Sequence, residues 1–169
     1  MIIRKATLKN IPELVMLVNS AYRGEGSKKG WTTEADLLDG IRTDAESIEQ
    51  MINKKNGVIL QSFNNNDVLQ GCVYLEKQKD KMYLGMLTVS PPEQTKGIGK
   101  QLLIVAENYA NEQKCLLVEM TVISVRKELI AWYQKHGYKN TGKTQPFPND
   151  AKFGIPKQPL EFIIMQKEI

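Results

Sequence analysis

Two glycines and two lysines stand together just before a long segment with helical apolar spacing. Residues 96–100 (Lys-Gly-Ile-Gly-Lys) follow residues 87–92 (Leu-Thr-Val-Ser-Pro-Pro), which are typical of a strand that ends in a short loop. A helix N-terminus exposes unpaired N–H groups that carry about half a positive charge, and glycine allows a phosphate to approach them closely. The order strand, glycine loop, helix therefore predicts an anion site suited to a diphosphate.

Two familiar phosphate motifs do not fit this segment. The Walker pattern requires a glycine where the chain has Gln94 and a serine or threonine where it has Gln101. The dinucleotide fingerprint requires a third glycine where the chain has Leu102. Taken alone, the two glycines are also compatible with a turn that merely starts a helix.

Two segments of the chain together resemble the motifs of one known family. Residues 94–99, with the order Gln-x-x-Gly-x-Gly after a strand ending Leu-Thr-Val-Ser-Pro, resemble motif A of the GNAT superfamily of acetyl-CoA-dependent N-acetyltransferases. Residues 129–138 (Leu-Ile-Ala-Trp-Tyr-Gln-Lys-His-Gly-Tyr) are similar to motif B of that family, aromatic-x-Lys-x-Gly-aromatic at a helix end. The two motifs stand at the family's usual separation, and the order of elements along the whole chain matches as well.

The resemblance implies that acetyl-CoA is the cosubstrate and that no metal is needed. Main-chain groups of Leu87 and Val89 would bond the pantetheine arm as an added strand would, and the amides of residues 95–100 would hold the diphosphate. Arg126 stands where many relatives have an asparagine that contacts the cofactor, and an arginine could meet a phosphate there. The implied cofactor-binding residues are Leu87, Thr88, Val89, Gln94, Thr95, Lys96, Gly97, Ile98, Gly99, Lys100 and Arg126.

Two residues are the implied catalytic groups. Tyr133 resembles the family's general acid, because a phenol of pKa about 10 stays protonated at neutral pH and can donate to a departing thiolate. The alternative is a core tyrosine, since Leu129 and Trp132 share its helix face. Glu119 is the carboxylate best placed to take the proton of the amine, directly or through water; it could equally be an outward, solvated strand residue. The family often has a further acid near Gly85, and this chain has none there.

The acceptor would be a primary amine, on a small molecule or a peptide, that attacks the thioester directly in a ternary complex. In the family the region between the first helices shapes the acceptor site, which here would involve Tyr22, Arg23 and Trp31, with Phe147 closing the pocket. Acids in this region could attract a cationic amine, although capping or solvated roles are the simpler interpretation. Family members often pair, so a homodimer is a further expectation.

The hydrophobic periodicity predicts an α/β (α+β) protein in which helices flank both faces of a mixed central sheet, and the resemblance implies that this is a GNAT-like fold with about seven strands. Strands 82–90 and 115–122 flank the long helix and should therefore be parallel. We expect one domain over residues 1–169. The predicted strands are 2–6, 68–76, 82–90, 115–122, 138–143 and 160–166, and a further strand opens at 58–60. The predicted helices are 11–22, 34–41, 97–113 and 126–136, and Thr43 is predicted to cap a further helix. Residues 23–30 are predicted to be a flexible loop.

Composition excludes several other classes of protein. With 41% hydrophobic and 25% charged residues, the 169-residue chain is not disordered as a whole. It has no apolar run near the roughly 20 residues of a membrane helix and no apolar signal core, so we expect a cytoplasmic protein. The net charge of +4 suits an anionic ligand, but the lysines are dispersed, which argues against nucleic acid. Cys72 and Cys115 are expected to be buried thiols, and one histidine cannot form a multi-histidine metal site.

Two alternatives to an acetyltransferase remain from the sequence. The first is a non-catalytic module that binds an acyl-CoA and regulates a partner. The second is a nucleic-acid-binding domain, which would require a contiguous basic face.

Overall fold

Seven strands form the central sheet of the computed structural model, which describes all 169 residues. The sheet order is β1-β3-β4-β5-β6-β9-β7, and β2 pairs with β8 in a separate two-stranded sheet. The strands are β1 (Ile2–Lys5), β2 (Leu38–Asp39), β3 (Gly57–Phe63), β4 (Leu69–Gln78), β5 (Lys81–Val89), β6 (Leu117–Ile123), β7 (Lys139–Pro146), β8 (Ile155–Pro156) and β9 (Glu161–Glu168), and the α-helices are α1 (Ile11–Tyr22), α2 (Gly24–Ser27), α3 (Ala45–Asn53), α4 (Ile98–Glu112) and α5 (Lys127–Lys135).

Side chains that alternate along the central strands separate two apolar cores, one on each face of the sheet. On β3, Ile59 belongs to the core covered by α1 and α3, whereas Leu60 belongs to the core covered by α4 and α5. On β4, Cys72 and Val73 divide between the same two cores. This alternation buries both faces of the sheet under helices, as the sequence predicted.

The only parallel pair in the sheet is the one predicted around the long helix. Strands β5 and β6 are parallel and α4 connects them, while every other pairing in the sheet is antiparallel. Helix α4 begins after Gly97, whose φ of 84° places it in the left-handed region that favours glycine. The predicted crossover is therefore confirmed.

The region between α1 and α3 differs from the prediction. Residues 34–41 do not form a helix: Leu37 and Leu38 donate to the Glu34 carbonyl in a single turn, and β2 then pairs with the distant β8. The predicted flexible loop over 23–30 contains the short helix α2, held by the buried Ser27 hydroxyl, which lies 2.7 Å from the Gly24 carbonyl. Pairing with a remote segment therefore overrides the local pattern at β2, whereas α2 is held by a local hydrogen bond.

The cap of α3 lies one residue later than predicted. Asp44, rather than Thr43, accepts a hydrogen bond from the Ser47 amide at 2.8 Å, while Thr43 is buried. Both residue types cap helices well, so the sequence could not separate two neighbouring candidates.

Candidate functional site

Strands β5 and β6 separate soon after they meet. Their pairing ends at Tyr83 and Glu119, although β5 continues to Val89 and β6 to Ile123. Between Gly85 and Thr88, β5 has one residue more than the β4 segment opposite it, and Met86 in this bulge has a φ of 53°. The bulge and the end of pairing leave a gap in the centre of the sheet.

Cavity A opens on one side of this gap, with a volume of about 430 Å³. Its walls are the end of β5, the loop before α4, one face of α5 and the segment around Trp31. Its charged lining residues are Lys100, Arg126 and Lys135, and no aspartate or glutamate lines it. Cavity A is therefore suited to an anion.

The N-terminus of α4 faces cavity A with free backbone donors. The first bond within the helix joins the Gln101 amide to the Gly97 carbonyl, so the amides of residues 98–100 have no partner in the preceding turn. No side chain caps the helix, and the space a Cβ on Gly97 would enter is open. The arrangement fits a diphosphate, because donors, a helix dipole and Lys100 converge on accessible space.

The end of β5 contributes carbonyl groups to cavity A, and two side chains already contact them. The Tyr22 hydroxyl donates to the Leu87 carbonyl at 2.7 Å, and Gln94 Nε2 donates to the Val89 carbonyl at 3.1 Å. Gln94 Oε1 also accepts from the Trp31 amide at 2.9 Å. Because each carbonyl has a second lone pair, both can still accept a bond from a ligand lying along β5.

Cavity B lies on the other side of the gap and has a volume of about 560 Å³. It is bounded by residues 119–123 of β6, the bulge of β5, the segment from Tyr22 to Arg42 and the proline-rich loop (residues 146–159). Phe147 and Phe162 stack in its wall with ring centroids 5.1 Å apart. Aromatic and aliphatic side chains form more than half of its lining, and charged groups lie among them.

The two cavities share a neck. Five residues line both of them: Tyr22, Leu87, Arg126, Leu129 and Tyr133. A ligand in cavity A can therefore meet a ligand in cavity B between the separated strands.

Tyr133 presents its phenol in this neck. The residue is only 6% exposed, and its ring packs against Trp132 and Tyr138 with centroid distances of 5.1 and 5.8 Å. Burial raises the pKa of Tyr133, the nearby Tyr22 adds to the increase, and Arg126 opposes it. The phenol therefore remains protonated at neutral pH and can act as a proton donor.

Glu119 lies in cavity B, at the position where β5 and β6 part. Its Oε1 is 2.6 Å from Lys81 Nζ, and its Oε2 is 2.6 Å from Gln166 Nε2. Burial favours a higher pKa for Glu119, but these hydrogen bonds outweigh it, so its pKa lies below the ordinary range. Glu119 is therefore ionised at neutral pH, and its charge is balanced by a lysine.

A buried ion-pair cluster supports the neck. Glu34 accepts from Arg23 Nε at 3.0 Å with one carboxylate oxygen and from Arg126 Nη1 at 3.1 Å with the other. Arg126 Nη2 also donates to the Thr32 hydroxyl at 2.6 Å, and Arg23 Nη1 donates to the Phe153 carbonyl at 2.8 Å. The cluster ties the segment after α1 to the start of α5 and to the proline-rich loop.

The structure brings most of the predicted site residues together. Of the residues predicted to bind the cofactor, all but Lys96 and Ile98 line cavity A. Lys96 pairs with Glu93 at 3.2 Å, and the Ile98 side chain is buried in the core. Arg126 lines the cavity, but its charge is committed to Glu34.

The residues predicted for the acceptor divide between the cavities. Tyr22 lines both, Arg23 and Phe147 line cavity B, and Trp31 lines cavity A only. Among these, Arg23 is buried in the ion-pair cluster.

Several lining residues were not predicted. In cavity A the additional residues include Trp132, Lys135 and His136, which lie within one turn of Tyr133 at the end of α5 and could have been found from that spacing. In cavity B the additional residues include Arg42 and Phe153. No local pattern marks them, because they come from segments that meet only in the folded chain.

The cysteines, the potential metal ligands and the hydropathy of the helices bear on other kinds of function. Cys72 and Cys115 are free and buried, as predicted, and burial raises the pKa of Cys72 to about 12. No three histidine, cysteine, aspartate or glutamate side chains are grouped to hold a metal ion. The longest helix, α4, has 15 residues, and no helix combines the length and hydropathy that a bilayer crossing requires.

Comparison with known proteins agrees with this geometry. The family described as acetyltransferase (GNAT) domain matches residues 16–153. The chain matches no curated protein.

Solved structures resemble the chain over its whole length. A ribosomal-protein-S18-alanine N-acetyltransferase from Escherichia coli superposes with a TM-score of 0.74 at 14% identity, covering 99% of this chain and 93% of that chain. A ribosomal-protein-alanine N-acetyltransferase from Brucella melitensis gives 0.72 at 20% identity, with 100% of both chains covered. The PaiA N-acetyltransferase from Thermoplasma acidophilum in complex with coenzyme A gives 0.68 at 20% identity, covering 99% and 98%. At these identities the superpositions establish a shared fold.

Proposed function

The chain belongs to the GNAT acetyltransferase family, and from that premise we propose that it transfers an acetyl group from acetyl-CoA to a primary amine. One observation carries the proposal: cavities A and B meet at a neck between β5 and β6, where Tyr133 presents a protonated phenol. Two ligands that enter from opposite sides can react there without a covalent enzyme intermediate.

Cavity A is proposed to hold the cofactor. The free amides at the start of α4, with Lys100, would bind the diphosphate, and the main chain at Leu87 and Val89 would bind the pantetheine arm. A relative of the same fold, from Thermoplasma acidophilum, was solved with coenzyme A. Acetyl-CoA would supply the acetyl group and a thiolate leaving group.

Tyr133 is proposed as the general acid. Its raised pKa keeps the proton on the phenol, and its position in the neck lets it donate where a thiolate would form. Trp132 and Tyr138 fix the ring by packing. Most of the catalytic effect would come from positioning two substrates.

Glu119 is proposed to assist in removing the proton of the amine. It is ionised, and it lines cavity B where the strands part. Since Lys81 and Gln166 already occupy its oxygens, the proton would reach it through water, and its lowered pKa makes it a weak base.

A non-catalytic acyl-CoA-binding module is the second candidate. The observation that favours it is the ion pair at Glu119, which leaves cavity B without an unpaired carboxylate. Both candidates require a cofactor in cavity A, so binding alone does not separate them.

The deciding experiment measures release of free coenzyme A from acetyl-CoA in the presence of a panel of amines. The panel contains free amino acids, their amides, polyamines and peptides with a free N-terminus or lysine. Amine-dependent release, with the acetylated product identified by mass spectrometry, is the expected result. Binding of acetyl-CoA by calorimetry without turnover of any amine would support the non-catalytic module instead.

A further inference from the structure

The charged groups that line cavity B do not cancel. They are three arginines, Arg23, Arg42 and Arg126, and two glutamates, Glu34 and Glu119. Glu34 is shared by Arg23 and Arg126, and Lys81 neutralises Glu119. The cavity that would receive an amine therefore has an excess of positive charge and no acid free to attract a cation.

Arg42 is the cation of this set that has no protein partner for its charge. Its guanidinium makes no ion pair and no side-chain hydrogen bond, and it stacks over the Tyr22 ring with its central carbon 5.2 Å from the ring centroid. The hydroxyl of the same tyrosine reaches the Leu87 carbonyl in the neck. Arg42 therefore stacks on the side chain that reaches the place where the two cavities meet.

The rest of cavity B suits an apolar body of modest size. Its wall includes Phe147, Phe153, Phe162, Tyr83 and Met86, and its volume is about 560 Å³. Cavities of this size and composition typically enclose a small ligand and orient it with few polar groups. Thr121 and Gln145 also line the cavity, but Arg42 is the charged group available here.

We propose that the acceptor is an apolar free amino acid whose carboxylate pairs with Arg42, so that its amine points into the neck. This inference rests on the proposed acetyl transfer and specifies its substrate class. A guanidinium binds a carboxylate through two parallel hydrogen bonds, which would fix the orientation of the acceptor as well as its affinity. A peptide N-terminus lacks a carboxylate at this distance from its amine and would leave Arg42 unpaired.

The same charge would select among acceptors. An ammonium group that enters the cavity alone is destabilised by the surplus positive charge. The carboxylate of an amino acid offsets the cost of bringing that ammonium near Arg23 and Arg126. A polyamine would bring only further positive charge.

The test compares acceptors that share a body and differ in one group. Initial rates of coenzyme A release are measured with L-phenylalanine, L-leucine and L-methionine, with their amides, and with phenethylamine. We expect kcat/KM for at least one free amino acid to exceed that of its amide by roughly 10- to 100-fold, the effect of a hydrogen-bonded charge pair. Arg42→Gln should remove this preference by lowering kcat/KM for the free amino acid toward the value for its amide.

Arg4→Gln is the matched control. Arg4 also stacks on an aromatic ring, with its central carbon 4.7 Å from the Phe63 centroid, but it lies outside both cavities. This variant should retain the preference for the free amino acid. Thermal unfolding of the wild type, Arg42→Gln and Arg4→Gln shows whether any loss of the preference reflects misfolding. Arg42→Lys should restore part of the preference if the charge of Arg42 is what matters.

The outcomes separate the inference from the function on which it rests. The inference is overturned if amides or phenethylamine react as well as the free amino acids, if only polyamines or peptides react, or if Arg42→Gln keeps the preference. Acetylation is still supported in each of those cases. If no amine in either panel is acetylated, the proposed function itself is wrong.

Discussion

Cavities A and B meet at one neck but are built in opposite ways. Cavity A is formed largely by two continuous stretches, the strand, loop and helix start of residues 87–100 and the helix of residues 126–136, and it has cations with no acid. Cavity B is assembled from at least four separated segments, and each of its acids is paired with a cation. This difference supports the proposal that cavity A binds the anionic cofactor and that cavity B selects the acceptor.

The largest expected effect comes from breaking the ion-pair cluster of cavity B. Glu34→Gln would leave the buried Arg23 without a countercharge and Arg126 with only Glu128, 3.8 Å away, which we expect to destabilise the fold by about 3–5 kcal/mol. Their side chains are only 5% and 6% exposed, so water cannot replace the lost carboxylate. Urea unfolding of the variant and the wild type measures the difference.

Glu25→Gln provides the control in the same region. Glu25 pairs with Lys28 at 3.0 Å, but its side chain is 88% exposed, and surface pairs contribute little to stability. Equal destabilisation by both variants would show that the Glu34 cluster is not specially required.

The next effect concerns the neck that the cavities share. Tyr133→Phe should lower kcat by roughly 100-fold, as expected for loss of a general acid, and should leave the affinity for coenzyme A nearly unchanged. Steady-state rates and calorimetry measure the two quantities. Tyr138→Phe is the matched control: Tyr138 packs on Tyr133 and donates to Glu107 at 3.1 Å, outside both cavities. Full turnover by Tyr133→Phe would remove the acid role.

The different construction of the two cavities also explains what the sequence could predict. The glycine loop of cavity A is local: Gly97 needs its left-handed φ of 84° to turn β5 into α4, and the residues that create this geometry are neighbours in the chain. Glu34 shows the opposite case. Local spacing favoured a helix there, but its carboxylate is held by Arg23 and Arg126, and the latter is 92 residues away. Arg42 and Phe153 were missed for the same reason, since only the folded chain brings them together.

A smaller effect tests the anion site of cavity A. Gly97→Glu places a carboxylate and a strained φ at the start of α4, and we expect the Kd for coenzyme A to rise roughly 10- to 100-fold. Gly142→Glu is an unusually close control, because Gly142 has a φ of 78° and equally open surroundings but lies in β7, away from both cavities. Both variants introduce the same kind of backbone strain, but only Gly97→Glu alters cavity A. Calorimetry on both therefore separates the effect of strain from the loss of the diphosphate site. An unchanged Kd in Gly97→Glu would contradict the diphosphate site.

Glu119 tests whether cavity B has any acid free for chemistry. Because Lys81 and Gln166 hold its oxygens and lower its pKa, we expect Glu119→Gln to slow turnover only several-fold. Measurement of kcat at neutral pH checks this expectation. A loss as large as that of Tyr133→Phe would identify Glu119 as a principal base instead.

The smallest effect is the contribution of Glu119 to stability, and its pH dependence has a definite sign. A carboxyl whose pKa is lowered on folding stabilises the protein above its unfolded pKa, and that contribution is lost as the pH falls through the folded value. The lost stability should therefore appear below the ordinary pKa of 4.5, where Glu119 accepts a proton and releases Lys81. Urea midpoints for the wild type, Glu119→Gln, Lys81→Met and the double variant should show a coupling at pH 7 that shrinks toward pH 3. A coupling independent of pH would mean that Glu119 is not anchored by Lys81, and cavity B would then contain an acid able to attract a cationic acceptor.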